Sequence, residues 1–301
     1  MMFGHDIESL QFRLARELAP PRSRYWALWV DDSVAGWLDG IRAARLAAMP
    51  HIFEVRKDGV RFVAGIDGAP ARSAALDDVA RTLAAEGRLT AWRDERYAAA
   101  PGFAASPWFL LERAAARYFG IHTFGAHVNG LVRRSGEVAM WLARRSPGKA
   151  IDPGMLDNLI GGGIAAGQSV ATTVRKEAWE EAGVTAPQAD LVLPAGTVHI
   201  CREQPDGLQR ETLFVHDLWL PAEFVPAGQD GEVVEHRLVT LPEAARLIAN
   251  EAGRDVVTAD ASLVILDFLL RHGEIGPDAP CYAALDALRH PSTSLAGSTA
   301  V

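Results

Sequence analysis

Apolar positions recur at three- and four-residue spacing over residues 7–18 (IESLQFRLAREL), which predicts an amphipathic helix, and again over 38–48. The period then changes. HIFEVRKDGVRFVAG reads as two short strands, 51–56 and 60–65, joined at Lys57-Asp58-Gly59, where glycine permits a positive φ. A helix over 73–86, an irregular Pro/Gly/Ala stretch at 98–106 and a helix over 107–118 complete the first part of the chain.

From residue 123 strand signals dominate. TFGAHVNGLVRR is followed across Ser135-Gly136 by EVAMWLARR, in which Val138, Met140 and Leu142 alternate with Ala139, Trp141 and Ala143. Both faces of that second strand are apolar, so it belongs inside a sheet covered on both sides. Runs at 191–201, 211–220 and 232–240 extend the sheet, and helices near 242–250 and 260–272 cover it. This change of texture predicts an N-terminal α+β domain over 1–120, a second domain over 121–290 and a frayed tail over 291–301.

Composition narrows the function classes. A chain of 301 residues, 49% hydrophobic, can bury one large core or two modest ones. The formal charge of −8 leaves no basic excess for nucleic acid or an anionic membrane, so a bound phosphate must be held locally, by a metal ion or a few placed cations. No stretch approaches a membrane span. The opening lacks a continuous apolar signal core, and Asp6, Glu8 and Glu17 oppose a transit peptide, which predicts a cytoplasmic location. Cys201 and Cys281 form no metal-like pair and read as small buried thiols.

The chemistry lies in GGGIAAGQSVATTVRKEAWEEAGV, residues 161–184. Ser169 can cap a helix that Gly183 ends in a left-handed conformation. At about 100° per residue, Ala171, Val174, Ala178 and Ala182 share one arc, the face that packs on the sheet. Glu177, Glu180 and Glu181 fall in the adjoining arc. Like charges at i,i+4 near a helix C-terminus are unfavourable, and a divalent cation removes that penalty. Magnesium suits such oxygen ligands, with manganese as an alternative. A solvated acidic face, with Lys176 and Glu180 as an ordinary pair, would look the same on the helix alone. Gly161, Gly162, Gly163 and Gly167 tilt the balance, because backbone without Cβ can pass close to a metal or phosphate.

Together the glycines and carboxylates resemble the Nudix box: Gly, five residues, Glu, seven residues, Arg-Glu-U-x-Glu-Glu-x-Gly-U, with U apolar. Here the pattern runs from Gly162 through Gln168 to Lys176-Glu177-Ala178-Trp179-Glu180-Glu181-Ala182-Gly183-Val184. Gln168 and Lys176 depart from the family's Glu and Arg, while the Glu-x-x-Glu-Glu core is intact. Residues 112–132, 140–164, 230–236 and 263–273 look like the Nudix branch found beside or fused to thiamin pyrophosphokinase. That resemblance implies an α/β/α sandwich with a mixed sheet, preceded by a smaller α+β domain. It also implies hydrolysis of thiamin diphosphate, or an oxidised or toxic analogue, to the monophosphate. Nucleoside diphosphate derivatives such as ADP-ribose, or diphosphate binding without catalysis, are the alternatives.

On this reading Glu177 and Glu181 are the principal metal ligands, Glu180 is a ligand or proton acceptor, and the Gly162 carbonyl is a further ligand. In many Nudix enzymes a Glu beyond the box also serves; Glu232 is the candidate, with Glu235 as fallback. Arg144, Arg145 and Lys149 are candidates to hold the outer phosphate. Strand neighbours alternate faces, so Arg144 and Arg145 cannot both point inward, and Arg144 is the choice. Asp157 and Asn158 either orient substrate or build the turn. His199, His216 and Asp217 fit no nucleophilic or zinc-ligand spacing. The partner expected is a small-molecule diphosphate, and a homodimer is left open.

Overall fold

The computed structural model describes residues 4–291 and 295; the expected frayed tail falls almost entirely outside the described residues. The chain opens with α1 (Gly4–Glu17), then β1 (Tyr25–Val30), β2 (Ser33–Asp39), α2 (Gly40–Ala47), β3 (Phe53–Arg56), β4 (Gly59–Phe62) and α3 (Gly68–Ala85). β5 (Arg96–Ala99), β6 (Phe109–Glu112), a 3-10 turn (Arg113–Ala115) and α4 (Ala116–Phe119) follow. The helix expected over 107–118 is therefore mostly a strand and a tight turn. Leu110 gives its amide to Ser73 Oγ of α3, at 2.8 Å, while β6 pairs with β5 in the stretch read as irregular. β1 and β2, absent from the sequence reading, form an antiparallel hairpin turned at Asp31, which adopts φ 53°. The first sheet has the order β2-β1-β4-β3, with β1 and β4 parallel.

Next come β7 (His122–Arg134), β8 (Glu137–Arg145), β9 (Leu156–Asn158), β10 (Ile160–Gly163), α5 (Val170–Ala182) and α6 (Ala186–Ala189). The chain then forms β11 (Leu193–Gln204), β12 (Gly207–Trp219), β13 (Val233–Thr240), α7 (Leu241–Leu247), α8 (Ala259–Arg271) and α9 (Tyr282–Leu288). The large sheet runs β11-β12-β7-β8-β13, with β10 paired to β7 and β9 to β8. It is mixed: β12 lies parallel to β7, and the other pairings are antiparallel.

The central strand β8 is covered on both faces, as its doubly apolar pattern requires. Met140 and Leu142 pack with α7 and α8 residues such as Leu247 and Leu266. Ala139 and Trp141 pack on the opposite side with Val174, Ala178 and Ala182 of α5. A separate core holds residues from Leu28 to Ile121. α1 packs across the division expected at residue 120. Ile7, Leu10 and Leu14 join the core of the large sheet, and the buried Arg13 donates to the carbonyls of Ile248 and Val257 at 2.6 Å each. An amphipathic helix at the start of a chain carries no local sign of which core takes its apolar face. Among the described residues no helix is long and apolar enough to cross a membrane.

Candidate functional site

The site is assembled by one short strand and one helix. Ser169 Oγ accepts from the Thr172 amide at 3.1 Å, and Thr172 Oγ1 returns the bond by accepting from the Ser169 amide at 2.9 Å. At the other end Gly183 sits at φ 64°, and the Val184 amide reaches back to Ala178 O at 3.0 Å. The packing face differs slightly from expectation: Ala171 is exposed, while Thr173 and Glu181 are buried with Val174, Ala178 and Ala182.

β10 carries the glycines against β7, with Gly161 opposite His127. At each of Gly161, Gly162 and Gly163 a side chain lies against the backbone and leaves no room for a Cβ. A Cβ on Gly161 would stand 2.9 Å from the His127 ring, one on Gly162 would stand 2.5 Å from Glu177 Cδ, and one on Gly163 would stand 1.8 Å from Tyr97 Oη. The Gly161 amide also donates to Glu181 Oε2 at 2.8 Å.

A cavity of about 310 Å³ opens here, lined by Glu177, Glu180, Glu181, Glu232, Arg145, Lys149, Asp157 and Gly162 among the expected residues. Burial pushes the Glu181 carboxyl well above the usual range, and the charges of Glu177 and Asp157 add to it; Lys149, at 3.9 Å, only partly opposes them. Burial raises Glu177 too, against Lys176. Lys176 bridges Glu177 Oε1 at 3.1 Å and Glu180 Oε2 at 2.9 Å. Burial alone would raise Glu232, but its ion pair with Lys149 and the charges of Arg93 and Arg113 hold it low. Among the described residues no three such side chains close on one point as a finished ligand set. The donor chemistry nevertheless fits a hard divalent ion, since a buried carboxyl crowded by two others lacks enough positive charge.

Arg144, Glu235 and Asn158, all expected at the site, do not line the cavity. Arg144 turns away from the cavity, buried between Glu235 Oε2 (2.6 Å) and Asp255 Oδ1 (2.5 Å) and donating to the carbonyls of Gly154 and Arg254. The inward neighbour is Arg145, which meets Asp157 Oδ2 at 2.8 Å. Strand alternation allowed one of the two, and the acidic partners beyond β8 selected the other face. Glu235 leaves the cavity with Arg144. Asn158 is buried and does not itself line the cavity; its Oδ1 meets His127 Nδ1 at 2.9 Å, its amide donates to Asp157 Oδ1 at 2.9 Å and its Nδ2 donates to Asn129 at 3.3 Å, so it positions two lining side chains. Gln168 is exposed, and Trp179 remains half exposed. His199 meets Thr212, His216 meets the Phe214 carbonyl, and Asp217 meets Asn129 and Arg271.

The sequence reading missed His127 and the whole far wall of the cavity. Arg93, Glu95, Tyr97, Arg113 and Arg117 all line it. Asp152, Glu211 and Asp260 form a second acidic end, where burial and then the charge of Asp260 raise Glu211, and likewise Asp152.

Comparison with known proteins places the chain in a family. The NUDIX domain family matches residues 123–260, and a domain of unknown function, DUF4743, matches 11–123. Nudix hydrolase 20, chloroplastic, of Arabidopsis thaliana is 41% identical over 214 residues, covering 71% of this chain and 56% of the relative. Nudix hydrolase 24, chloroplastic, from the same plant is 39% identical over 258 residues, covering 85% and 70%. The chain thus spans little more than half the length of the first relative. The NUDIX domain of Shewanella oneidensis NrtR, solved with ADP ribose, is 15% identical with a TM-score of 0.40, covering 51% of this chain and 90% of that one.

Proposed function

Because the chain belongs to the Nudix hydrolase family, we propose that it is a divalent-metal-dependent hydrolase that splits a diphosphate linkage of a small molecule with water. The observation that carries this reading is Glu181, a buried carboxyl beside Glu177 and Asp157, bonded to the amide of the glycine strand. Glu177 and Glu181 are the residues suited to hold Mg2+ or Mn2+, with Glu180 and the Gly162 carbonyl as further donors. When bound, the ion supplies charge neutralisation on the phosphoryl oxygens and orients the attacking water.

The chain's own groups divide the remaining work. Glu180 and Glu232 are the candidate proton acceptors: both line the cavity, and each is paired with a lysine, Glu180 with Lys176 and Glu232 with Lys149. Arg145 and Lys149 bring positive charge to the phosphate. Asn158, through Asn129 and His127, fixes the floor.

For the organic part we favour thiamin diphosphate or an oxidised or toxic analogue, on the resemblance of residues 112–132, 140–164, 230–236 and 263–273. The acidic end of the cavity at Asp152, Glu211 and Asp260 supports it, since carboxylates there suit a cationic or amino-bearing ring. The test is incubation of purified protein with Mg2+ and thiamin diphosphate, its oxidised analogues and ADP-ribose, with products followed by phosphorus NMR. Monophosphate from the thiamin compounds supports the reading. Turnover of ADP-ribose alone overturns the substrate choice, and binding without turnover at any metal concentration overturns the hydrolase.

A further inference from the structure

We infer that the N-terminal domain completes the substrate site, with Arg113 as the guanidinium that grips the diphosphate from the wall facing the α5 carboxylates. This rests on the proposed diphosphate chemistry.

Arg113 opens the 3-10 turn after β6 and lines the cavity with Arg93 and Arg117. A buried carboxylate ties Arg93 to the 3-10 turn: Glu112 Oε1 accepts from the Arg93 amide at 3.1 Å and the Ala114 amide at 3.3 Å. The Arg113 amide in turn donates to the Glu95 carbonyl at 2.8 Å. The guanidinium lies 5.6 Å from the centre of the Tyr97 ring, whose hydroxyl abuts Gly163. Thus one aromatic side chain links the glycine strand to this arginine. A guanidinium has five N–H donors. Among the described residues Arg113 donates through Nη1, to Glu95 at 2.7 Å, and the side chain keeps 40% exposure. Its charge bears on Glu177, Glu232 and Glu211, so it stands within electrostatic reach of both acidic ends. Planar, permanently charged and partly free, it has the geometry for two phosphoryl oxygens at once. A purely structural arginine would spend its donors on protein, as Arg144 does.

The probe is methylenediphosphonate, a diphosphate mimic that water does not cleave, titrated with Mg2+ into the full chain by calorimetry. Arg113→Gln is expected to weaken binding at least tenfold while unfolding cooperatively with a melting temperature close to wild type. Arg113→Lys, which keeps the charge and loses the fork, is expected to fall between the two; it serves if the Gln variant does not fold. Wild-type affinity in either folded variant, or no binding of the probe to wild type, overturns the inference. Where a substrate is turned over, Arg113→Gln should raise KM more than it lowers kcat. Arg113-dependent binding without turnover would sink the hydrolase reading alone, and turnover indifferent to Arg113 would sink this inference alone.

Discussion

Replacing Arg144 by Met separates a structural arginine from a phosphate-binding one. Its side chain is 7% exposed and makes four polar contacts, two to carboxylates and two to carbonyls. Glu235 and Asp255 are each more than a third exposed and retain Arg254 and Arg237 as partners, so each lost ion pair counts for only about 0.5–1 kcal/mol. The two carbonyl bonds add about 1 kcal/mol each. The sum, roughly 3 kcal/mol, corresponds to a fall in melting temperature of about 5 °C for a chain of this size. Turnover should stay within about threefold of wild type, since Arg144 does not line the cavity. Arg145→Met should behave oppositely, losing turnover about tenfold or more, because Arg145 lies in the cavity beside Asp157. Thermal melts and steady-state kinetics on both variants read this out. Loss of turnover in the Arg144 variant at unchanged melting temperature would refute the assignment.

Two further perturbations test the packing around the site. In Gly163→Ala the new methyl would overlap Tyr97 Oη, so a loss of about 1–3 kcal/mol in urea unfolding is expected. Adding Tyr97→Phe should recover part of it, because the next ring atom is 2.9 Å away; strict additivity in the double-mutant cycle would exclude the clash. Burial, with Arg210 and His199, pushes the His122 imidazole down to about 4, so it stays neutral in the fold while the unfolded chain protonates near 6.5. Stability is therefore unaffected by this group above about pH 6.5 and falls as pH drops from there to about 4, by roughly 3 kcal/mol in all. His122→Gln should flatten that part of the urea-midpoint profile, and an unaltered slope would count against the shift.

What was legible in the sequence was local. The α5 helix declared itself through Ser169 and Gly183, whose caps are made within one turn, and β8 through an apolar pattern on both faces. β1 was hidden because Tyr25–Val30 is a near-continuous apolar run and its turn uses Asp31 rather than glycine. The 109–112 strand lies in a segment that predicts helix, because its four residues are too few to show a period and its pairing to β5 is a tertiary event. The carboxylates were found because they share one helix face. The facing wall was not, since Arg93, Tyr97 and Arg113 meet Glu177 only after two cores have formed and packed. The choice between Arg144 and Arg145 likewise depends on Glu235, set opposite Arg144 by the pairing of β13 with β8, and on Asp255 beyond the sheet.

The central claim, that the α5 carboxylates support hydrolysis of a diphosphate, is met most directly by Glu181→Gln assayed for turnover at saturating Mg2+. The amide keeps the shape and can still accept from Gly161, so the fold and melting temperature should persist. Turnover should fall by roughly 10²-fold or more. A variant that turns over the same substrate at the wild-type rate would contradict the account.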